Sequence, residues 1–164
     1  MIQPLDLVLF RGLWWNPMTY FIAQRTSCLY THGGVLLGKT IKIGDDEGDM
    51  VEAKEGGVQL SFLADYGQRE HRILRYKYEM APEKIDQLLS WLLSQIGKPY
   101  EYKSYLGYIT GIKTPYLDDP NQFVCVELDS EMFTQNGIEL WGPEKPTYIY
   151  PSDLLQNGNF KEVT

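Results

Sequence analysis

Cysteine and histidine are scarce in this chain, with two of each among 164 residues. Cys28 and Cys125 are too few to build a disulfide scaffold, and a core of this size does not need one. The two cysteines and two histidines lie far apart with no pair at zinc-ligand spacing, so no metal and no cofactor is expected. Positive charge is also in deficit. Fifteen Lys and Arg against 22 Asp and Glu leave a net charge of -7, the wrong sign for a phosphate backbone, and nucleic acid is excluded as a partner. No run approaches the roughly 20 apolar residues that cross a bilayer. The opening residues have no basic segment followed by an unbroken apolar run, since Asp6 interrupts the first one. Neither a membrane span nor a signal peptide is therefore expected. A Gly-rich phosphate loop and a Gly-x-Ser-x-Gly elbow are both missing from the sequence.

What remains is an ordinary folding composition, 43% hydrophobic and 23% charged, over a length that suits one domain spanning residues 1–164. The first half reads as short strands: Leu5 to Phe10, His32 to Leu37, Lys39 to Ile43, Met50 to Ala53, Val58 to Leu60 and His71 to Tyr78. A short helix is expected at Pro17 to Thr26, and the acidic run Gly44 to Asp49 reads as a solvated hairpin turn. The second half reads as helices. One begins at Pro82 and runs to Ile96, with Ile85, Leu88, Leu89, Leu92, Leu93 and Ile96 on one face. Another spans Phe123 to Asn136 before Gly137, and a short last one starts at Pro151. Strands followed by helices predict an α+β domain, a small antiparallel sheet packed against helices.

Cys125 falls at the start of a predicted helix, in QFVCVELDSEMF. There the helix dipole and the first backbone N–H groups favour a thiolate and a developing oxyanion. An inert buried cysteine is the competing reading. The acidic neighbours Asp118, Asp119, Glu127, Asp129 and Glu131 oppose a negative sulfur, so a positive partner is required. His32, in YTHGGVLLG, opens an apolar strand beside two glycines that let another segment or a substrate come close. His71 follows a polar turn and reads as solvated. A catalytic imidazole needs a third group to orient it, and Glu52, in MVEAK on the neighbouring strand, suits that place, with an exposed strand carboxylate as the alternative. The cluster Asp45, Asp46, Glu47 and Asp49 lacks the pattern of a calcium loop. Tyr100, Tyr102, Tyr105 and Tyr108 precede the cysteine and can line a cleft.

The ordered series DLVLF, YTHGGVLLG, VEAKEGGVQL, ILRYK, IGKPYEY, FVCVEL and PSDL spans nearly the whole chain. It resembles the circularly permuted, YiiX/YaeF-like branch of the NlpC-type, papain-like cysteine hydrolases, in which the histidine precedes the cysteine. The resemblance implies a papain-like fold with Cys125 as nucleophile, His32 as general base and acid, and Glu52 orienting His32. It also implies substrate contacts from Tyr100, with Tyr102 beside it. Two departures stand out: Val126 follows the cysteine where the family commonly has serine, and Gly33 and Gly34 follow His32 where an aliphatic residue is common. The implied activity is hydrolysis of an amide bond, first of all in a peptidoglycan peptide, so the expected partner is a small peptide or acyl-type substrate. Lipid acyl-ester hydrolysis or acyl transfer, and a non-catalytic binding or virion module on the same fold, are the alternatives. Without an export signal, a wall enzyme made in the cytoplasm needs a phage particle or a specialised secretion route, or else has a target inside the cell.

Overall fold

In the computed structural model the described residues are 1–13, 15, 17–100, 123–143, 146 and 148–163. Six strands form one antiparallel sheet: β1 (Leu7–Arg11), β2 (Tyr30–Ile43), β3 (Asp46–Lys54), β4 (Gly57–Ser61), β5 (His71–Tyr76) and β6 (Phe160–Val163), in the order β4-β3-β2-β1-β5-β6. Among the described residues four α-helices accompany it: α1 (Pro17–Thr26), α2 (Pro82–Ser94), α3 (Cys125–Thr134) and α4 (Pro151–Gln156). The α+β class and the small antiparallel sheet are as the sequence predicts.

Strand alternation divides the core between the two faces of the sheet. Leu7, Leu9, Val35, Val51, Ala53 and Leu74 share one cluster with Leu88 and Leu92 of α2, Leu128, Met132 and Phe133 of α3, and Leu154 of α4. Val8, Phe10, Leu36 and Met50 belong to a second cluster, against which Leu63, Tyr66 and Ile73 pack. Leu63 and Tyr66 come from a single 3-10 turn, Leu63–Tyr66, between β4 and β5. Asp6, the charge inside the first apolar run, is only 1% exposed and takes both Nε and Nη2 of Arg75, at 2.8 and 2.7 Å. This bidentate pairing compensates the burial of both charges. Among the described residues no helix is long and apolar enough to cross a membrane.

Several boundaries differ from the sequence reading. β2 is one long strand, and its hairpin turn is only Gly44 and Asp45, with Gly44 at φ 62. Ile43, Lys42 and Ile41 pair with Asp46, Glu47 and Gly48, so most of the acidic run belongs to β3 rather than to a loop. Backbone pairing and the Lys42–Glu47 apposition outweigh the low strand propensity of Asp and Gly there. β5 ends at Tyr76 and α2 at Ser94. Helix α3 begins at Cys125, because Phe123 is extended and forms a parallel bridge with Tyr100. Strand β6 has no counterpart in the sequence reading.

Candidate active site

Register brings Glu52 and His32 to one face of the sheet. Val35 pairs with Val51 and Leu36 with Met50, which sets Gly34 beside Glu52; a Cβ on Gly34 would lie 3.2 Å from the Glu52 Cβ. His32, two residues from Gly34, shares that face and pairs with Phe10 of β1. The Glu52 side chain is fully buried, yet both its oxygens are occupied. Nε2 of His32 donates to Oε2 at 2.6 Å, the Tyr66 hydroxyl donates to the same oxygen, and Lys54 Nζ donates to Oε1 at 2.6 Å. Burial pushes the Glu52 pKa up, but the hydrogen bond and charge of His32, with bonds from Lys54 and Ser61, outweigh it and hold the carboxyl at about 2. The anion is thus present at any ordinary pH.

Phe10, Tyr66 and His32 form a layered group, with the Phe10 and Tyr66 rings 3.8 Å apart and inclined by 13°, and His32 6.1 Å from Tyr66. These contacts fix the imidazole plane while Glu52 fixes its Nε2. The second nitrogen, Nδ1, is not engaged by Glu52, and His32 and Cys125 line the same cavity close enough for the cysteine to act on the imidazole. Burial lowers the His32 pKa, but the bond and negative charge of Cys125, followed by those of Glu52, overcome it and raise it to about 10. These partners favour the protonated imidazole.

Cys125 is the first residue of α3 and is 9% exposed. Val124 caps the helix, and its N–H is taken by Glu127 Oε2 at 3.4 Å, while the next N–H groups have no intrahelical acceptor. The helix reaches its place because β2 has no side chain at Gly33. A Cβ there would fall 2.8 Å from Asp129 Oδ2 and 3.0 Å from both Leu9 Cδ2 and Val126 Cγ1. The close approach expected at the two glycines is made by α3 at Gly33 and by β3 at Gly34.

Cys125, His32 and Tyr100 line one cavity of about 220 Å³, together with Lys54 and Arg69. Glu52 lies behind His32, outside the cavity wall. Tyr102 lies outside the described residues, as do Tyr105, Tyr108, Asp118 and Asp119. His71 is exposed and bonds the Arg69 carbonyl at 2.9 Å, and Cys28 is half-buried in packing against the main core. Asp49 Oδ1 caps the Leu63 N–H at 2.8 Å, and among the described residues no group of three or more His, Cys, Asp or Glu side chains is disposed to hold a metal ion.

Sequence reasoning missed Lys54, Tyr66, Arg69 and the true condition of Asp129. Lys54 was within reach, because i and i+2 share a strand face. Asp129 lies four residues after Cys125 on a helix, also a same-face spacing. As one of the acidic neighbours of Cys125 it reads from sequence as a charge that opposes a thiolate, whereas in the structure burial opposes that charge. Its carboxyl is fully buried with no hydrogen-bond partner among the described residues, and burial drives its pKa well above the usual range, which favours the uncharged form. Glu131, another of those neighbours, accepts from Gln135 Nε2 at 2.8 Å.

No protein-family model and no curated protein matches the chain. Among solved structures the fold is similar to that of metalloprotein yiiX from Escherichia coli O157:H7, a DUF1105 protein, with a TM-score of 0.72. The match covers 99% of this chain and 96% of that one at 12% sequence identity. At that identity the likeness establishes a shared fold: an α+β arrangement of six antiparallel strands and packed helices.

Proposed function

We propose that this chain is a cysteine hydrolase that cleaves an amide bond, with Cys125 as nucleophile, His32 as general acid and base, and Glu52 orienting His32. One observation carries the reading. Three side chains distant in sequence are brought together: Cys125 and His32 line one cavity, and His32 is bonded behind that cavity to Glu52, whose carboxylate is sealed in the core. Burial of an unused ion pair is costly, and structural pairs seldom present their outer member to a cavity.

In this reading the Cys125 thiolate attacks the carbonyl carbon, forming an S–C bond. The first N–H groups of α3 stabilise the resulting oxyanion, with Tyr100 beside them. His32 then gives its proton to the departing amine as the C–N bond breaks, leaving a thioester. Water, deprotonated by His32, attacks the thioester carbon; the S–C bond breaks and a carboxylic acid leaves. Glu52 keeps its charge throughout and holds the imidazolium in place.

The neighbour's description as a metalloprotein does not carry over to these donors. Both Glu52 oxygens and His32 Nε2 are already engaged, and a hydrolytic metal needs several unengaged ligands. The resemblance of the motif series to the permuted NlpC-type hydrolases makes a peptidoglycan peptide the first substrate to examine, with acyl esters as the comparison. Purified protein is incubated with a panel of muropeptides and acyl esters. Release of new amines by the wild type, lost in Cys125→Ala with an unchanged thermal midpoint, supports the proposal. Hydrolysis that survives Cys125→Ala overturns it.

A further inference from the structure

Arg69 stands apart from its neighbouring arginines. Arg11, Arg72 and Arg75 each face a carboxylate, Glu70, Glu162 and Asp6, at 2.5, 3.3 and 2.7 Å. Arg69 faces none among the described residues. Its Nε donates to the Arg11 carbonyl at 2.5 Å, and its guanidinium carbon lies 5.6 Å from the ring centroids of both Phe10 and Tyr66. Those contacts place the group beside the edges of the stacked pair, and among the described residues no hydrogen bond engages its Nη nitrogens. Glu52 acts on Arg69 only from beyond ion-pair distance, and a partly buried guanidinium with no carboxylate in contact is completed by an anion that reaches it.

That guanidinium lines the same cavity as Cys125 and His32. Among the described residues no Asp or Glu lines the cavity, although acidic residues outnumber basic ones in the chain, 22 to 15. Lys54, also in the lining, is committed to Glu52 Oε1 at 2.6 Å and to Ser61 Oγ at 3.0 Å, and His32 to Glu52 Oε2 at 2.6 Å. An acidic protein repels anions over most of its surface, so a local unspent cation beside the nucleophile acts as a selector.

We propose that Arg69 anchors an oxyanion group of the substrate, a carboxylate or a phosphate, next to the bond that Cys125 attacks. This rests on the hydrolase reading and narrows its substrate class to acidic amides or esters. The fork of a guanidinium matches either group with two parallel hydrogen bonds, whereas the neighbouring imidazolium offers a single direction.

Cys125 alkylation tests the anchor without a known substrate. The thiolate attacks the methylene carbon, the S–C bond forms, iodide leaves with the C–I bonding pair, and the thiol proton stays on His32. Rates at Cys125 are measured by mass spectrometry with iodoacetate and with iodoacetamide, Cys28 serving as the internal reference. In the wild type the iodoacetate-to-iodoacetamide ratio at Cys125 exceeds that at Cys28, and Arg69→Met lowers it at least about fivefold, with Arg69→Lys in between. In the wild type, glutarate or inorganic phosphate slows the iodoacetamide reaction at Cys125, and the better protector identifies the anion. A ratio unchanged by Arg69→Met, or no protection by either anion, overturns the anchor while leaving the nucleophile standing. A Cys125 inert to both reagents overturns the hydrolase reading and the anchor with it.

Discussion

Tyr66 and His32 converge on a single atom, Oε2 of Glu52, one from the 3-10 turn and the other from β2. The carboxylate is thereby fixed on two sides, while Lys54 holds its other oxygen from a third. Orientation of the imidazole thus depends on a tyrosine 34 positions away along the chain, counted as 66 minus 32.

Tyr66→Phe isolates that hydroxyl, because the ring stack on Phe10 at 3.8 Å is retained. Loss of one hydrogen bond to a buried charge is expected to lower stability by about 1.5–3 kcal/mol. The alkylation rate of Cys125 by iodoacetamide is expected to fall as well, since Glu52 no longer holds His32 as firmly. Urea unfolding and the labelling rate check both; a stability loss with no change in labelling would make the hydroxyl purely structural.

His32 offers a titration test. Its pKa of about 10 depends on Cys125 first and Glu52 second, working against burial. Cys125→Ala removes the larger support, so the imidazole should titrate at distinctly lower pH by NMR. The sign for stability follows from linkage: a folded-state value above the unfolded 6.5 stabilises fully below pH 6.5, and that gain is lost as pH rises through about 10. Glu52 acts at the other end. Its value of about 2 against an ordinary 4.5 gives stability that is present above pH 4.5 and lost as pH falls through about 2.

Asp129 has the opposite linkage to Glu52. Its folded form keeps a proton that the unfolded chain releases near 3.8, so the folded state binds more protons and stability falls as pH rises above that value. Asp129→Asn removes the titration at nearly constant volume. Its stability relative to the wild type, from urea midpoints, should therefore be greater at pH 8 than at pH 5; an equal difference at the two pH values refutes a buried neutral carboxyl.

Much of this arrangement is legible in the residue order. His32 and Glu52 flank an acidic turn, so antiparallel pairing brings them together, and alternation puts them on one face. The apolar spacing after Pro82 and the cap near Gly137 mark α2 and α3 for the same local reasons. Tyr66 is different, since nothing near it says that its turn folds back over Phe10; that contact is decided by the second face of the core. β6 is four residues with two charges, FKEV, and becomes a strand only because β5 presents an unpaired edge. The neutrality of Asp129 escapes sequence reading because buried acids are rare, and a helical Asp is normally solvated.

Gly33 ties the geometry of the site to packing. It sits next to His32 on β2, while the atoms it would strike belong to Val126 and Asp129, the first of them adjacent to Cys125. A methyl group at that position meets Asp129 Oδ2 at 2.8 Å and two apolar carbons at 3.0 Å, distances that force α3 away from β2. Gly33→Ala is expected to destabilise the fold by about 1–3 kcal/mol, the usual range for overpacking. The backbone of Gly33 has no positive φ, so the effect is steric rather than conformational. Displacement of the helix start also separates sulfur from imidazole, and the labelling rate of Cys125 should fall more steeply than stability. Because the His32 pKa leans first on Cys125, the same substitution should lower it by NMR. A variant that loses stability yet keeps both the wild-type labelling rate and the wild-type His32 titration would show that this contact does not set the cysteine–histidine distance.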